Sequence, residues 1–247
     1  MCGRYVSVRS DGDVLAEFDA IDATGGDTPP ADYNVAPTKP VRAIVNRPLR
    51  DARGTPADEP TRQLRVVSWG LVPSWAKDRS IAAKLINARV ESVASKPAFR
   101  RAYPKRRCLL PADGWYEWQL RDTAEGPRKQ PMYMTPTDGR GLAFAGLYEF
   151  WGPPGETLTT CTIITTPAQG VLAEIHDRMP LVLPSGAWAR WLDPAITDPA
   201  DLLVPWDEAR GAHLELRPVA TTVNRVENNG AELTERTEPA PAPQQLF

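Results

Sequence analysis

The sequence predicts a single α+β domain: a mostly antiparallel, barrel-like β-sheet with short peripheral helices. Three observations lead there. Several segments are rich in β-branched and aromatic residues, the helical patterns are short, and 26 prolines and 17 glycines break up both. Punctuation this dense excludes a helical bundle and long regular βαβ units. With 247 residues, 42% of them hydrophobic, the chain is long enough to bury one sizeable core.

In chain order, Val14, Leu15 and Phe18 give a helical apolar spacing within residues 11–20. Strands are expected over Val41–Val45, Leu64–Trp69, Cys108–Trp118, Leu142–Trp151 and Leu158–Thr165, with a shorter one over Leu181–Leu183. Short helices are expected over Val171–Ile175 and Gly186–Leu192. Two polar segments containing Gly or Pro, Asn46–Arg62 and Arg121–Gln130, read as surface excursions. Residues 237–247 (TEPAPAPQQLF) have the composition of a disordered tail. No repeat or linker divides the remainder, so one domain is expected over residues 1–236.

Composition narrows the function classes. No apolar run reaches the length of a membrane helix. The start, Met1-Cys2-Gly3-Arg4-Tyr5, lacks the basic-then-apolar pattern of a signal peptide, so a cytoplasmic location is expected, associated with the nucleoid when DNA is bound. Three cysteines are too few for a disulfide scaffold, and two histidines with no close cysteine pair argue against zinc. No metal and no cofactor are expected. A net charge of −2 gives no global attraction for nucleic acid. A DNA partner would need a local patch, and Arg100, Arg101, Lys105, Arg106 and Arg107 cluster in sequence.

Position 2 carries the chemistry. Removal of Met1, which a small second residue permits, leaves an N-terminal cysteine with two nucleophiles on adjacent atoms. Its α-amine titrates near ~7.7–8.0 and its thiol near ~8.5, so a useful fraction of each is deprotonated at neutral pH. Such a pair can attack one carbonyl in sequence: the amine forms an imine, and the thiol closes a five-membered thiazolidine. The second step is intramolecular and gains from proximity.

Other elements follow in order. Tyr33-Asn34-Val35-Ala36-Pro37 places an amide in a turn where it could orient a nucleophile. Trp69-Gly70-Leu71-Val72-Pro73-Ser74-Trp75 sets two tryptophans around a loop. Asn87-Ala88-Arg89-Val90-Glu91 comes next, then Asp113-Gly114-Trp115-Tyr116-Glu117-Trp118, an acid among aromatics, and Ile175-His176-Asp177-Arg178-Met179-Pro180. An alternating strand, with Tyr116 and Trp118 pointing the other way, would instead put Glu117 on a solvated face.

Together and in this order, through Val223-Asn224 and Gly230-Ala231-Glu232-Leu233, these elements resemble the SOS response-associated peptidase (SRAP) family, whose characterised members shield abasic sites in single-stranded DNA. The resemblance covers the chain apart from the tail. It implies that the Cys2 amine and thiol capture the open-chain aldehyde of an abasic site as a thiazolidine. It implies acid–base roles for Glu117 and His176, with Asn34 orienting Cys2. Packing among Trp115, Tyr116 and Trp118 would desolvate Glu117 and raise its pKa. Arg4, Arg89 and Arg178 match positions that engage phosphates. Trp75, with Trp69 and Trp118, would stack on bases, and Asn87 and Thr165 would line the site. Ala76 departs from the family, some members of which carry a second aromatic after Trp75. The implied partner is single-stranded DNA with abasic sites, bound by a monomer.

Three other readings stand beside it. N-terminal-nucleophile amidohydrolases also begin Met-Cys-Gly and use the α-amine as base for the thiol, but the isoleucine usual at the next position is absent here. Peptidase action, including removal of Met1 by Cys2 and Glu117, is chemically feasible. A non-covalent reader of single-stranded DNA would use the tryptophans and arginines alone.

Overall fold

The computed structural model describes residues 2–50, 53, 55–204 and 213–239. The chain is mostly strand: β1 (Arg4–Ser7), α1 (Asp11–Phe18), β2 (Ile21–Asp22), β3 (Asp32–Val35), β4 (Pro40–Arg50), β5 (Pro56–Trp69), β6 (Asn87–Arg89), β7 (Arg107–Ala112), β8 (Gly114–Thr123), β9 (Gly126–Pro136), β10 (Leu142–Trp151), β11 (Leu158–Pro167), β12 (Arg178–Pro180), α2 (Ser185–Leu192) and β13 (Leu214–Pro218). Short 3-10 turns include Arg79–Lys84 and Gly170–Glu174. No helix among the described residues is long and apolar enough to cross a membrane.

The strands form two sheets. In one, β3-β1-β8-β9-β13 are antiparallel neighbours. In the other, β5-β4-β7-β10-β11 are joined by antiparallel pairings, and β11 returns to β5 at Ser68↔Thr160 and Trp69↔Cys161. Five strands with four antiparallel joints leave the first and last running the same way, so this closing contact is parallel. This contact at the Trp69 end of β5 closes the ring into the barrel expected from the sequence.

Strand alternation divides the apolar residues of this ring between two cores. Val41, Ala43, Val45, Val67, Trp69, Leu110, Phe144 and Ile163 share a cluster with Tyr5, Trp115, Met132 and Met134 of the five-stranded sheet. Ile44, Leu64, Leu109, Ala145 and Ile164 face the other way, against the helices. Helix α1 buries Val14 and Phe18, one turn apart, and Ser10 caps it by accepting from the Asp13 N–H at 3.1 Å. Helix α2 buries Trp188, Trp191 and Leu192, and Phe18 stacks on Trp188 at 4.3 Å.

Several expectations change in detail. The strand expected over Cys108–Trp118 is two strands in different sheets, broken at Asp113. The Asp113 carboxylate accepts from the Val8 N–H at 2.7 Å and from Arg9 Nε at 2.9 Å. At the following Gly114 a Cβ would lie 2.4 Å from the Met134 carbonyl oxygen, so only glycine admits the crossing. Leu181–Leu183 holds only an isolated bridge between Val182 and Phe144, because the neighbouring strand, β12, lies earlier at Arg178–Pro180. The two polar excursions are hairpin arms rather than loops: β4 pairs with β5 out to Arg50↔Pro56, and β8 with β9 out to Thr123↔Gly126. At the other end, the Thr237 N–H donates to the Pro218 carbonyl at 2.8 Å. Residues 240–247 of the expected tail lie outside the described residues.

Candidate active site

Strand β1 leads the N-terminal segment past Glu117. The β1–β8 register pairs Tyr5 with Trp115 and Arg4 with Tyr116, so residues before Arg4 continue alongside Glu117 and Trp118. Cys2 is wholly buried in a chain that still carries residue 1, in the cluster containing Trp115, Met132, Leu172 and Ile175. Glu117 is two residues from Trp115 on β8 and faces the same side, opposite its cross-strand partner Met132. Tyr116 and Trp118 point to the other face and pack with Val6, Val219, Val223 and Leu233. The aromatic cage expected around Glu117 therefore shrinks to Trp115, and the rest of the apolar wall comes from elements distant in sequence.

This setting perturbs both reactive groups. Glu117 is 3% exposed, and burial lifts its carboxyl to about 7, with the Asp177 carboxylate adding to the rise. Burial also pushes the Cys2 thiol well above its usual range, and the nearby Glu117 carboxylate pushes it further. The Glu117 carboxylate therefore sits close enough to the thiol to disfavour its anion.

Asn87 holds the backbone of Cys2. It opens β6, which lies parallel to β11 with Asn87 opposite Ile163. Its Nδ2 donates to the Cys2 carbonyl oxygen at 2.8 Å, and its buried Oδ1 has no hydrogen-bond partner among the described residues. His176 follows the turn at Gly170–Glu174, which is docked on β8 where Gln119 Nε2 donates to the Glu174 carbonyl at 3.2 Å. Nδ1 of His176 accepts from the Arg178 N–H at 3.0 Å and also lies 2.8 Å from Asp177 Oδ1. The first contact needs a lone pair on Nδ1, the second a proton. Asp177 is 80% exposed whereas the amide is fixed, so the amide sets the tautomer and leaves the proton on Nε2. Burial lowers the His176 pKa, which keeps the ring neutral near pH 7.

Other candidates are engaged elsewhere. Asn34 does not reach for Cys2: its Nδ2 donates to the carbonyls of Val223, Arg225 and Asn228, and its Oδ1 accepts from Arg4 at 2.8 Å. Arg4 also holds the carbonyls of Val223 and Asn224, and Trp118 Nε1 donates to Asn224 Oδ1 at 2.7 Å. Arg4, Asn34 and Trp118 thus fix the 223–228 segment. Arg178 is buried, forms a two-pronged pair with Glu91 at 2.7 and 3.1 Å, and donates to the carbonyl of the fully buried Thr165 at 2.6 Å. Glu91 lies in the Asn87–Glu91 motif, where an ion pair within the loop is the local reading; its partner is instead Arg178, 87 residues away. Trp69 offers no face for stacking: it is fully buried, edge-on to Tyr5, and its Nε1 donates to the Ile86 carbonyl at 2.9 Å. Trp75 is 52% exposed, and Arg89 is exposed with no ion pair among the described residues.

The basic patch divides as well. Arg107 is buried and donates to the carbonyls of Tyr103, Trp191, Asp193 and Ile196, and Arg106 pairs with Glu149. Arg100, Arg101 and Lys105 remain exposed.

Fold and site together define a single-domain α+β protein in which a buried acid and an asparagine converge on the cysteine at position 2. The chain belongs to the SOS response associated peptidase (SRAP) family, whose model matches residues 1–226. It is 40% identical over 239 residues to the abasic site processing protein YoaM of Bacillus subtilis, covering 94% of this chain and 97% of that one. It is 32% identical to the abasic site processing protein YedK of Escherichia coli, covering 94% and 98%. A crystal structure of a protein from Bacteroides thetaiotaomicron superposes with a TM-score of 0.75 at 24% identity, covering 96% of this chain and all of that one.

Proposed function

We propose that this protein processes abasic sites in single-stranded DNA by forming a covalent thiazolidine link through Cys2 after residue 1 has been removed. The observation that carries the reading is the convergence of Asn87 and the perturbed Glu117 on Cys2. The names of the relatives, abasic site processing proteins, supply the electrophile.

The steps balance as follows. The unprotonated α-amine adds to C1′ of the ring-opened aldehyde, and the resulting hydroxyl leaves as water to give an imine. The thiol sulfur then adds to the imine carbon while its proton passes to the nitrogen, closing the ring. Glu117, titrating near 7, can take a proton in one step and return it in the next. In this reading neutral His176, with its proton on Nε2, donates to the sugar oxygen as the ring opens. Trp75 and Arg89 are the exposed groups that meet the strand, by stacking and by a phosphate contact. Arg4, Asn34, Trp118, Thr165 and Arg178 shape the walls.

The test mixes the protein with a single-stranded oligonucleotide carrying one abasic site. A denaturation-resistant species of the summed mass is expected. Cys2→Ala gives none, whereas Cys2→Ser, which keeps the amine, gives a labile imine that borohydride traps. No adduct with the unaltered protein, or an undiminished adduct with Cys2→Ala, overturns the reading. DNA binding without any adduct would instead favour the non-covalent reader.

A further inference from the structure

The barrel wall has an opening. One edge of β5 pairs with β2 at Gln63 and Leu64 and with β11 at Ser68 and Trp69. Over residues 65–67 that edge has no ladder partner among the described residues. A cavity of about 500 Å³ lies there, lined in part by Val45, Arg47, Arg65, Val67, Tyr148 and Thr159. None of its lining residues belongs to the Cys2 site.

Its charge is one-sided. No Asp or Glu is among the lining residues. Arg65 donates to Gln63 Oε1 and to the Ala23 carbonyl, both neutral acceptors. The Arg47 guanidinium lies 5.0 Å over the Phe150 ring and makes no hydrogen bond or ion pair among the described residues. Glu149, nearby in sequence, is already paired with Arg106. Two guanidiniums gathered at one partly buried opening repel each other, and burial together with the Arg47 charge lowers the pKa of Arg65. An anion relieves that cost. Planar guanidiniums suit a phosphate's oxygens, and the valine and tyrosine walls suit an apolar or aromatic body. The volume falls within the ~300–1,000 Å³ of small-molecule sites.

We propose that this opening between β5 and β11 binds a phosphomonoester of mononucleotide size, with Arg47 and Arg65 holding the phosphate. The ligand is a free mononucleotide or the terminal phosphate of a nucleic-acid strand, since both present the same group.

Calorimetric titration separates the outcomes. The probes are deoxyadenosine 5′-monophosphate, deoxyadenosine, and a short single-stranded oligonucleotide with and without a 5′-phosphate. Binding of the monophosphate but not the nucleoside is expected, weakened about tenfold or more in Arg47→Gln, as befits the loss of a charge-assisted contact. Binding of the 5′-phosphorylated oligonucleotide alone, with the same loss in Arg47→Gln, assigns the site to a strand end. Among the described residues the Arg47 side chain makes only the cation–π contact with Phe150, so this variant's melting temperature should fall by no more than a few degrees. Arg65→Lys, which keeps the charge and loses the planar fork, should give a smaller loss. Failure of both phosphorylated probes to bind through about the millimolar range, equal binding of nucleoside and monophosphate, or full binding by Arg47→Gln overturns the proposal. Adduct formation at Cys2 is a separate readout and does not bear on it.

Discussion

Asn87 Nδ2 donates to the carbonyl oxygen of Cys2 at 2.8 Å, tying β6 to the residue that carries the proposed chemistry. The bond aims the Cys2 backbone, and with it the adjacent amine and thiol. Asn87→Ala removes one hydrogen bond of ~1 kcal/mol, so adduct formation should slow by about fivefold. Asn87→Asp should be slower still, because a carboxylate would face the carbonyl oxygen and add a charge near Glu117. Single-turnover rates alongside melting curves check this. An unchanged rate in Asn87→Ala would remove Asn87 from the positioning role.

Glu117 makes both stability and rate depend on pH, in opposite senses. Its carboxyl in the fold titrates near 7, above the ~4.3 of a free glutamate. Between those values the native state binds a proton that the unfolded chain releases. This contribution to stability is therefore full below about pH 4 and lost as pH rises through about 7. Relative to the unaltered protein, Glu117→Gln should gain stability progressively from pH 5 to pH 8, by on the order of 2–3 kcal/mol. Adduct formation needs the base form, so its rate should climb over the same interval and lose that limb in Glu117→Gln. Denaturant melts and rates across pH test the two signs independently.

The two tryptophans of one loop should separate stability from binding. Trp69→Ala empties a fully buried site and should cost ~3–5 kcal/mol of folding stability. Trp75→Ala, at a half-exposed site, should leave the melting temperature unchanged and weaken single-stranded DNA binding by ~1–3 kcal/mol. The reverse pattern would invert the roles assigned here.

Arginines divide in the same way. Arg89→Ala should lower the slope of log affinity against log salt by about 0.7, the signature of one lost phosphate contact on a single strand. Arg178→Ala should instead lower stability, by about 1.5–3 kcal/mol, because it breaks the Glu91 pair and abandons the Thr165 carbonyl. A salt titration and a melt on each variant distinguish them.

Much of this protein is legible from local pattern. Runs rich in β-branched and aromatic residues mark the barrel strands, Val14 and Phe18 mark α1, and alternation along β8 would turn Glu117 away from Tyr116 and Trp118. The cysteine at position 2 and the ordered motifs behind it point to the family, because residue identity and order survive without coordinates. Partners distant in the chain do not show in this way. Nothing local says that Asn34 spends its amide on Val223, Arg225 and Asn228, or that Glu91 occupies the fork of Arg178. Within one seven-residue motif, Trp69 enters the core and Trp75 stays in solvent, a choice made by where β5 closes the ring. By itself, then, the sequence determined most of the strand segments, the family and the residue proposed to react. Only the tertiary structure decided which polar groups are engaged in holding the fold, because each group's partner comes from a strand or turn remote in the chain.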